Sequence, residues 1–150
     1  CQAPTVANNT TFNCSQGGII VGTGDSGVVP QFDNAVMTNN IAINDTGYGL
    51  REYSYDAAHM GTHNTWVNNH TFGNSVGSYL SDYSKNVDSG TKTTNPSFVN
   101  YQANGSGDYH LTVGADDVDT GTATGMPQYD YSGVPRDNPP DRGAYELINS

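Results

Sequence analysis

The chain has 150 residues and a formal net charge of −10, because 15 acidic residues outnumber 5 basic ones. Its polar positions carry Asn, Thr, Ser, Asp and Gly rather than the Glu, Lys and Arg that usually cover helices. This composition excludes a helical bundle and an ordinary α/β domain. The negative charge also argues against nucleic acid or an anionic membrane as a partner, and no apolar run is long enough for a transmembrane segment.

Two cysteines, Cys1 and Cys14, lie near the start of the chain. They do not form the C-x-x-C pair of zinc and thioredoxin-type sites, so we predict a disulfide that closes a loop of about 14 residues and contributes about 3 kcal/mol. Two unpaired thiols and a lipidated Cys1 are the alternatives. Acceptor sequences for N-glycosylation agree with an extracellular or cell-surface protein. They lie at Asn8, Asn9, Asn13, Asn44, Asn69 and Asn104.

A short apolar segment recurs in the first half of the chain. Residues 40–44 (NIAIN) recur 24 residues later as residues 64–68 (NTWVN), and residues 18–21 (GIIV) lie about one period earlier. Short strands joined by Gly- and Asn-rich turns, with no helical periodicity between them, predict successive coils of a β-solenoid.

Stacked coils bring equivalent side chains into columns about 4.8 Å apart. At the 24-residue offset, Asn40 is expected over Asn64 and Asn44 over Asn68. We therefore predict hydrogen-bonded ladders of asparagine amides at the turns, in preference to a ligand role for these residues.

The C-terminal part carries several short motifs in a fixed order. They are NPSFVN at 95–100, GDYHL at 107–111, DTG at 119–121, DYSGVPR at 130–136 and DRGAYE at 141–146. This order resembles the C-terminal end of bacterial secreted right-handed parallel β-helix proteins of the pectate-lyase-like superfamily. Where that family usually has S-P-A-I-D-x-G, residues 114–121 contain two additional acids.

The resemblance and the repeat together imply an all-β fold: a short right-handed parallel β-helix of about three coils with an irregular C-terminal capping tail. Its expected parts are an N-terminal segment at 1–17, which the disulfide would staple, the coils at 18–83, and a polar connection with the capping tail at 84–150. In the tail, Arg136 and Arg142 are expected to form ion pairs that lock the structure. Their expected partners are Asp130, Asp137 and Asp141.

Catalysis on such a fold requires outward-facing groups on neighbouring coils. No pair of carboxylates stacks at the 24-residue offset, which argues against a glycoside hydrolase site. A polysaccharide lyase needs a base and a cation that stabilises the anionic intermediate. The lyase candidates, which are otherwise a polar strand face, are Arg51, Tyr53, Tyr55, His59 and His63.

Two further sets of residues are candidate binding sites. A sugar-stacking surface is one interpretation of the aromatic residues, and strand packing is the other. The aromatic candidates are Trp66, Tyr48 and Tyr53. An acidic run near Gly121 has the character of a calcium loop, with Asx turns as the alternative, and it contains Asp116, Asp117 and Asp119. No other cofactor is expected.

Three coils of about 4.8 Å give a short stack with two open ends. We expect either a fragment of a longer β-helix or a stack whose open end meets another copy, as a homo-oligomer or filament. The sequence therefore predicts a non-catalytic extracellular β-solenoid module for surface structure, end-to-end assembly or contact with a polysaccharide. The alternative is the C-terminal fragment of a polysaccharide lyase or glycoside hydrolase whose active site lies mainly upstream.

Overall fold

The computed structural model describes residues 3–23 and 32–148, and this part of the chain contains strands, turns and one short 3-10 helix at Asp82–Ser84 but no α-helix. The first nine strands are β1 (Thr5–Ala7), β2 (Thr10–Phe12), β3 (Gly17–Thr23), β4 (Val36–Thr38), β5 (Ile41–Ile43), β6 (Tyr48–Ser54), β7 (Thr65–Val67), β8 (His70–Phe72) and β9 (Gly77–Ser81). The last three are β10 (Asp88–Ser89), β11 (Phe98–Asn100) and β12 (Asp108–Leu111). In the described residues, no helix is long and apolar enough to cross a membrane.

Three parallel sheets organise the first nine strands. Their orders are β1-β4-β7-β10, β2-β5-β8 and β3-β6-β9, so the chain visits the three sheets in the same sequence three times. We call each such passage a coil: β1–β3 is coil 1, β4–β6 is coil 2 and β7–β9 is coil 3. Strands β11 and β12 form an antiparallel hairpin outside the coils. The predicted all-β class with parallel strands is confirmed.

The predicted period of 24 residues is wrong. Thr5 pairs with Val36 and Val36 with Thr65, so equivalent positions are 31 and then 29 residues apart. Residues 40–44 and 64–68 resemble each other, but they contain β5 and β7, which belong to different sheets. Likewise, β1 and β2 lie inside the predicted N-terminal segment but pair with β4 and β5, so they belong to coil 1.

Asparagine pairs make the corner between the first and second sheets. The first Asn of each pair has a left-handed backbone, with φ of 55° at Asn8, 57° at Asn39 and 54° at Asn68. Asparagine adopts this conformation more readily than most residues, which explains its repeated use at the corner.

The second Asn of each pair builds a ladder that joins the coils. The Oδ1 atom of Asn40 accepts the backbone N–H of Asn9 at 3.1 Å and its Nδ2–H at 2.9 Å. Asn69 Oδ1 accepts the same two groups of Asn40, both at 3.0 Å. The predicted ladder therefore exists, but Asn40 stacks between Asn9 and Asn69 rather than on Asn64.

A second ladder at the next corner contains Cys14, Asp45 and Asn74. Asp45 Oδ1 accepts the Cys14 N–H at 2.8 Å, and Asn74 Oδ1 accepts the Asp45 N–H at 2.9 Å. The Cys14 thiol is free of a disulfide within the described residues. Cys1 lies outside the described residues, so the predicted Cys1–Cys14 disulfide stays a prediction.

Two apolar cores lie on opposite sides of the second sheet. Inside the coils, Ala42 packs with buried residues from the other sheets, which are Ile19, Ala35, Met37, Leu50 and Trp66. On the outer face, Ile41 and Ile43 pack against Leu111 and Ala115 of the C-terminal part. The alternation of β5, with one small residue inward and two large residues outward, gives this sheet a second apolar face for the tail to cover.

The C-terminal tail runs along this side of the stack. Three consecutive tail residues reach the three coils in turn: Arg142 Nη1 donates to Asn69 O at 2.7 Å, Gly143 N to Asn39 O at 2.7 Å, and Ala144 N to Thr10 Oγ1 at 2.9 Å. We expected the tail to cap the end of the stack. Its position along the side follows from the outward-facing isoleucines of β5.

The tail backbone lies close to strands β2 and β5 at Gly143. Its φ is +89°, and a Cβ atom there would lie 2.7 Å from Ile41 Cδ1 and 2.8 Å from Thr10 Oγ1. A side chain at this position would therefore push the tail away from β2 and β5.

Buried polar contacts fasten the tail to coil 3. His70 is fully buried, with Nδ1 2.7 Å from Asp117 Oδ1 and Nε2 2.5 Å from the Thr94 carbonyl oxygen. Arg142 Nε lies 3.8 Å from Asp117 Oδ1, and Arg136 pairs with Glu146 at 2.8 Å. The arginines therefore hold the tail as predicted, but their carboxylate partners are Asp117 and Glu146 rather than Asp130, Asp137 and Asp141.

Replacing Asp45 with Asn should stabilise the protein at neutral pH. Equivalent ladder amides donate Nδ2–H to a backbone oxygen of the preceding coil, as Asn40 does to Val6 O at 2.9 Å and Asn74 to Ala42 O at 3.0 Å. Asp45 has no such hydrogen, and its Oδ2 atom is buried without a partner among the described residues. We expect Asp45→Asn to gain about 1–3 kcal/mol in urea unfolding at pH 7.

The stability that Asp45→Asn gains depends on pH, in a direction that follows from the pKa of Asp45. Burial raises the pKa of Asp45, so the folded state favours the protonated acid and loses stability as pH rises through that pKa. The gain from Asp45→Asn should therefore shrink as pH falls through the raised folded-state pKa, and it should be smallest below about pH 4, where the carboxyl becomes protonated in the unfolded state as well. Asn40→Asp is the matched control, which should destabilise by a similar amount. An Asp45→Asn protein that is no more stable at pH 7 would contradict this account of the ladder.

Loss of the Arg142 guanidinium should release the tail from coil 3. Arg142→Met leaves the carbonyl oxygens of Asn69 and Gly90 without their donor and costs about 3 kcal/mol in chemical denaturation. Arg142→Lys should rescue little of this, because an ammonium lacks the planar fork. The control is Arg51→Met, whose pair with Asp82 is partly open to solvent, with 35% of the Arg51 side chain exposed, and contributes about 1 kcal/mol or less. Equal losses for Arg142→Met and Arg51→Met would show that the tail contact is unimportant.

Candidate functional site

A groove with a volume of about 520 Å³ lies between coil 1 and the C-terminal tail. This volume lies in the range of small-molecule sites, about 300–1,000 Å³. We call it the aromatic groove, and its lining contains four of the ten tyrosines. The lining residues are Ala7, Asn8, Asn9, Thr10, Phe12, Tyr109, Pro127, Tyr129, Asp130, Tyr131, Arg136, Ala144 and Tyr145.

One stacked pair of rings stands in the groove wall. Phe12 of β2 stacks on Tyr109 of β12, with centroids 4.4 Å apart and ring planes at 16°. The Tyr109 hydroxyl donates to the Gln102 carbonyl oxygen at 2.5 Å, and the ring edges of Phe98 and Tyr101 pack nearby. Contacts of both the ring and the hydroxyl therefore fix the position of Tyr109.

A second group of rings comes from the tail. Tyr145 lies over His110 at 4.0 Å between centroids, and the Tyr131 ring stands nearly perpendicular to it at 5.7 Å. Asp108 Oδ1 fixes His110 by accepting its backbone N–H and contacting Nδ1 at 2.6 Å. Tyr131 is 82% exposed and Tyr129 is 51% exposed, so these two rings present free faces to solvent.

Backbone contacts between the tail and coil 1 set the position of these rings. Ala144 donates its N–H to Thr10 Oγ1, and its carbonyl oxygen accepts the Tyr131 N–H at 2.9 Å. The same residue therefore ties Tyr131 and the adjacent Tyr145 to β2. Burial raises the pKa of Tyr145, and the nearby Tyr131 and acidic groups raise it further, so this phenol stays protonated at neutral pH.

The charged groups in the groove wall are engaged by the protein. Asp130 Oδ1 accepts the N–H groups of Ser132 and Val134 at 2.7 and 2.8 Å, and Oδ2 accepts the Glu146 N–H at 2.9 Å. Burial alone would raise the pKa of Asp130, but these hydrogen bonds outweigh it and lower the pKa below its usual value. Asp130 is therefore a carboxylate that shapes the loop at 130–134.

Arg136 is almost completely buried behind the groove. It pairs through Nη1 with Glu146 Oε2 at 2.8 Å and donates through Nη2 to the carbonyl oxygens of Gly143 and Ala144 at 2.9 and 3.1 Å. Burial, with a further contribution from the side chains of Asp137 and Asp141, raises the pKa of Glu146 to about 7, and hydrogen bonds from the backbone N–H groups of the same two residues oppose this effect. The arrangement provides aromatic surfaces and amide groups for binding, with its charges committed to structure.

Only some of the predicted lyase residues lie close to one another. Arg51, Tyr53 and Tyr55 follow one another on the outward side of β6 and just after it, and the Arg51 guanidinium lies 5.1 Å from the Tyr53 ring centre. However, Arg51 forms a bidentate pair with Asp82, in which Nε donates to Oδ1 at 3.2 Å and Nη2 donates to Oδ2 at 3.0 Å. His59 Nδ1 is 2.7 Å from Asp56, and His63 is exposed. None of these five residues lines the aromatic groove, and the Arg51 guanidinium is paired with Asp82.

Trp66 is not a sugar-stacking residue, because its indole is fully buried in the inner core. Its Nε1–H donates to Glu52 Oε2 at 3.0 Å, and Asn64 and Asn86 donate to Glu52 Oε1 at 2.5 and 2.9 Å. Burial raises the pKa of Glu52, which these donors partly offset. The other two aromatic candidates, Tyr48 and Tyr53, are half-buried on β6, outside the aromatic groove.

The predicted calcium ligands have separate surroundings. Asp117 is fully buried beside His70 and Arg142, whereas Asp116 and Asp119 are exposed. Asp116 Oδ2 accepts the Thr94 hydroxyl at 3.0 Å. The described residues contain no group of three or more His, Cys, Asp or Glu side chains that could hold a metal ion. Calcium binding therefore stays a prediction that this geometry does not favour.

Comparison of the chain with protein-family models, with curated proteins and with solved structures found no match. The resemblance to pectate-lyase-like β-helices consequently stays a prediction. The function of the chain is therefore inferred from the residues of the groove itself.

Sequence reasoning missed the aromatic groove. Phe12 lies about 100 residues before Tyr109, and no local pattern links them. The sequence does contain one indication of the groove. The tail motifs GDYHL and DRGAYE each contain a tyrosine next to a residue whose backbone N–H is hydrogen-bonded, which is His110 in the first motif and Ala144 in the second.

The predicted glycosylation acceptors differ in their exposure to solvent. Asn69 is fully buried and its Nδ2–H donates to Met37 O at 3.0 Å, whereas Asn104 lies in an exposed turn. Asn9, Asn13 and Asn44 lie at coil corners, where Asn9 is bonded to Asn40 and Asn13 to Ala103 O.

Expression of the chain behind a secretion signal in a glycosylating host should give occupancy at Asn104 and little at Asn69, as measured by mass spectrometry of glycopeptides. The fold requires the Asn69 amide in the ladder, and a glycan cannot fit in that buried column. Asn104→Gln is the matched control and should remove the main glycoform. Full occupancy of Asn69 in folded protein would contradict the described ladder.

Proposed function

We propose that the protein is a glycan-binding module on a short right-handed parallel β-helix that acts outside the cell. The observation that carries the proposal is the aromatic groove, where Tyr109, Tyr129, Tyr131 and Tyr145 converge from the hairpin and the tail. Three repeated passages through three parallel sheets support the β-helix interpretation.

The chemistry of the groove suits sugar rings. Each sugar ring has an apolar face of C–H groups and a rim of hydroxyls, which match an aromatic face and nearby amide groups. Tyr129 and Tyr131 offer exposed rings, and Asn9 offers an exposed amide at the same groove. A concave site with aromatic walls and a few fixed polar groups is the usual form of a small-ligand site.

The other predicted functions have less support. A lyase at Arg51 would need a free cation, but this guanidinium is paired with Asp82. End-to-end assembly stays a prediction, for which the one-sided pairing of β1, β2 and β3 among the described strands is the supporting feature.

Truncation of the exposed groove tyrosines should weaken glycan binding without unfolding the protein. We expect Tyr129→Ala and Tyr131→Ala each to lower affinity about tenfold, since a lost ring contact costs about 1.4 kcal/mol. Affinity electrophoresis against a panel of soluble polysaccharides identifies a ligand, and isothermal titration calorimetry measures each variant.

Tyr83→Ala is the matched control, because Tyr83 is 52% exposed but lies outside the groove lining. It should bind like the unmodified protein, and circular dichroism should report the same fold for all variants. Absence of binding to every polysaccharide, or binding that the groove substitutions leave unchanged, would overturn the proposal. Binding of a proline-rich peptide in the absence of glycan binding would also overturn it.

A further inference from the structure

We infer that the ligand of the aromatic groove is an uncharged oligosaccharide, rather than a polyuronate or an amino sugar polymer. This inference rests on the proposed glycan-binding function and adds the chemical class of the glycan. It follows from how the protein uses the charged groups of the groove lining and its remaining lysines and arginines.

Recognition of an anionic sugar needs a cation that can reach it. Among the described lining residues the only cation is Arg136, and its side chain is 1% exposed and paired with Glu146. Two of its nitrogens already donate to Glu146, Gly143 and Ala144. The Arg136 Nε–H has no hydrogen-bond partner among the described residues, but it is itself buried. A uronate carboxylate in the groove would therefore find no accessible counter-charge.

The remaining cations are engaged elsewhere or lie outside the lining. Arg51 pairs with Asp82, Arg142 contacts Asp117 and three backbone carbonyls, and Lys92 donates to Asp116 O. Lys85 is exposed after the 3-10 helix, away from the groove lining. With a net charge of −10, the protein as a whole repels a polyanion.

Recognition of a cationic sugar needs a free carboxylate or an accessible aromatic cage. The only acid in the described lining is Asp130, and three backbone N–H groups already bind its two oxygens. One face of Tyr145 is covered by His110, and one face of Phe12 is covered by Tyr109. The groove consequently offers single ring faces and amides, which favour stacking and hydroxyl contacts over charge pairing.

Three β-1,4-linked hexamers test the inference because they share a backbone and differ in charge: cellohexaose is neutral, a glucuronic acid hexamer is anionic, and the fully deacetylated glucosamine hexamer is cationic in a mildly acidic buffer that protonates its amines and is used for all three. Titration calorimetry at 20 and 300 mM NaCl measures each. We expect cellohexaose to bind with an affinity that changes less than twofold between the two salt concentrations. The uronate should bind at least tenfold more weakly at low salt, where its repulsion is least screened.

Two results would overturn the inference while leaving the proposed function intact. One is a uronate that binds as well as cellohexaose. The other is a glucosamine hexamer that binds at least tenfold more tightly than cellohexaose at low salt and loses this advantage at high salt. In either case Tyr131→Ala must weaken the binding about tenfold to place it in the groove. If no hexamer binds, or if Tyr131→Ala leaves the affinity unchanged, the proposed function fails as well.

Discussion

Each coil is held to the next by a side-chain oxygen that accepts the backbone N–H of the equivalent residue one coil earlier. Asn40 does this for Asn9, and Asn69 does it for Asn40. Corner backbone groups lie outside the regular strand pairing and would otherwise be buried without partners, which is costly. The ladder removes that cost and fixes the vertical register of the coils. Everything outside the coils depends on this register, because the tail contacts one residue of each coil in turn.

The position of the groove follows from the contacts that the tail makes with each of the three coils. Arg142, Gly143 and Ala144 meet coils 3, 2 and 1, and the next residue, Tyr145, is thereby placed at the open edge of coil 1. The outward isoleucines of β5 provide the apolar surface that draws the hairpin β11–β12 to the same side, which places Tyr109 against Phe12. A shift of the ladder by one coil would separate these rings. The relative positions of the groove residues therefore depend on the asparagine ladder.

The sequence predicted the all-β class and the ladder but misplaced the repeat. The segments at 40–44 and 64–68 share an Asn at each end and an apolar centre, yet one contains β5 and the other β7. Short strands in different sheets have the same alternation, so local similarity cannot distinguish them. The paired asparagines at 8–9, 39–40 and 68–69 carry the true period, and the two-residue difference between the intervals hides it. The groove could not be predicted, since its walls meet only through tertiary contacts.

Nuclear magnetic resonance of protein with isotope-labelled tyrosine, titrated with cellohexaose, tests the central claim most directly, because each of the ten tyrosines reports on its own location. The account predicts that the ring signals of Tyr109, Tyr129, Tyr131 and Tyr145 shift in a saturable manner. Signals from Tyr48, Tyr53 and Tyr83, which lie outside the groove, should stay in place. Shifts confined to Tyr48 and Tyr53 would move the binding site to the outer face of the third sheet and contradict the account.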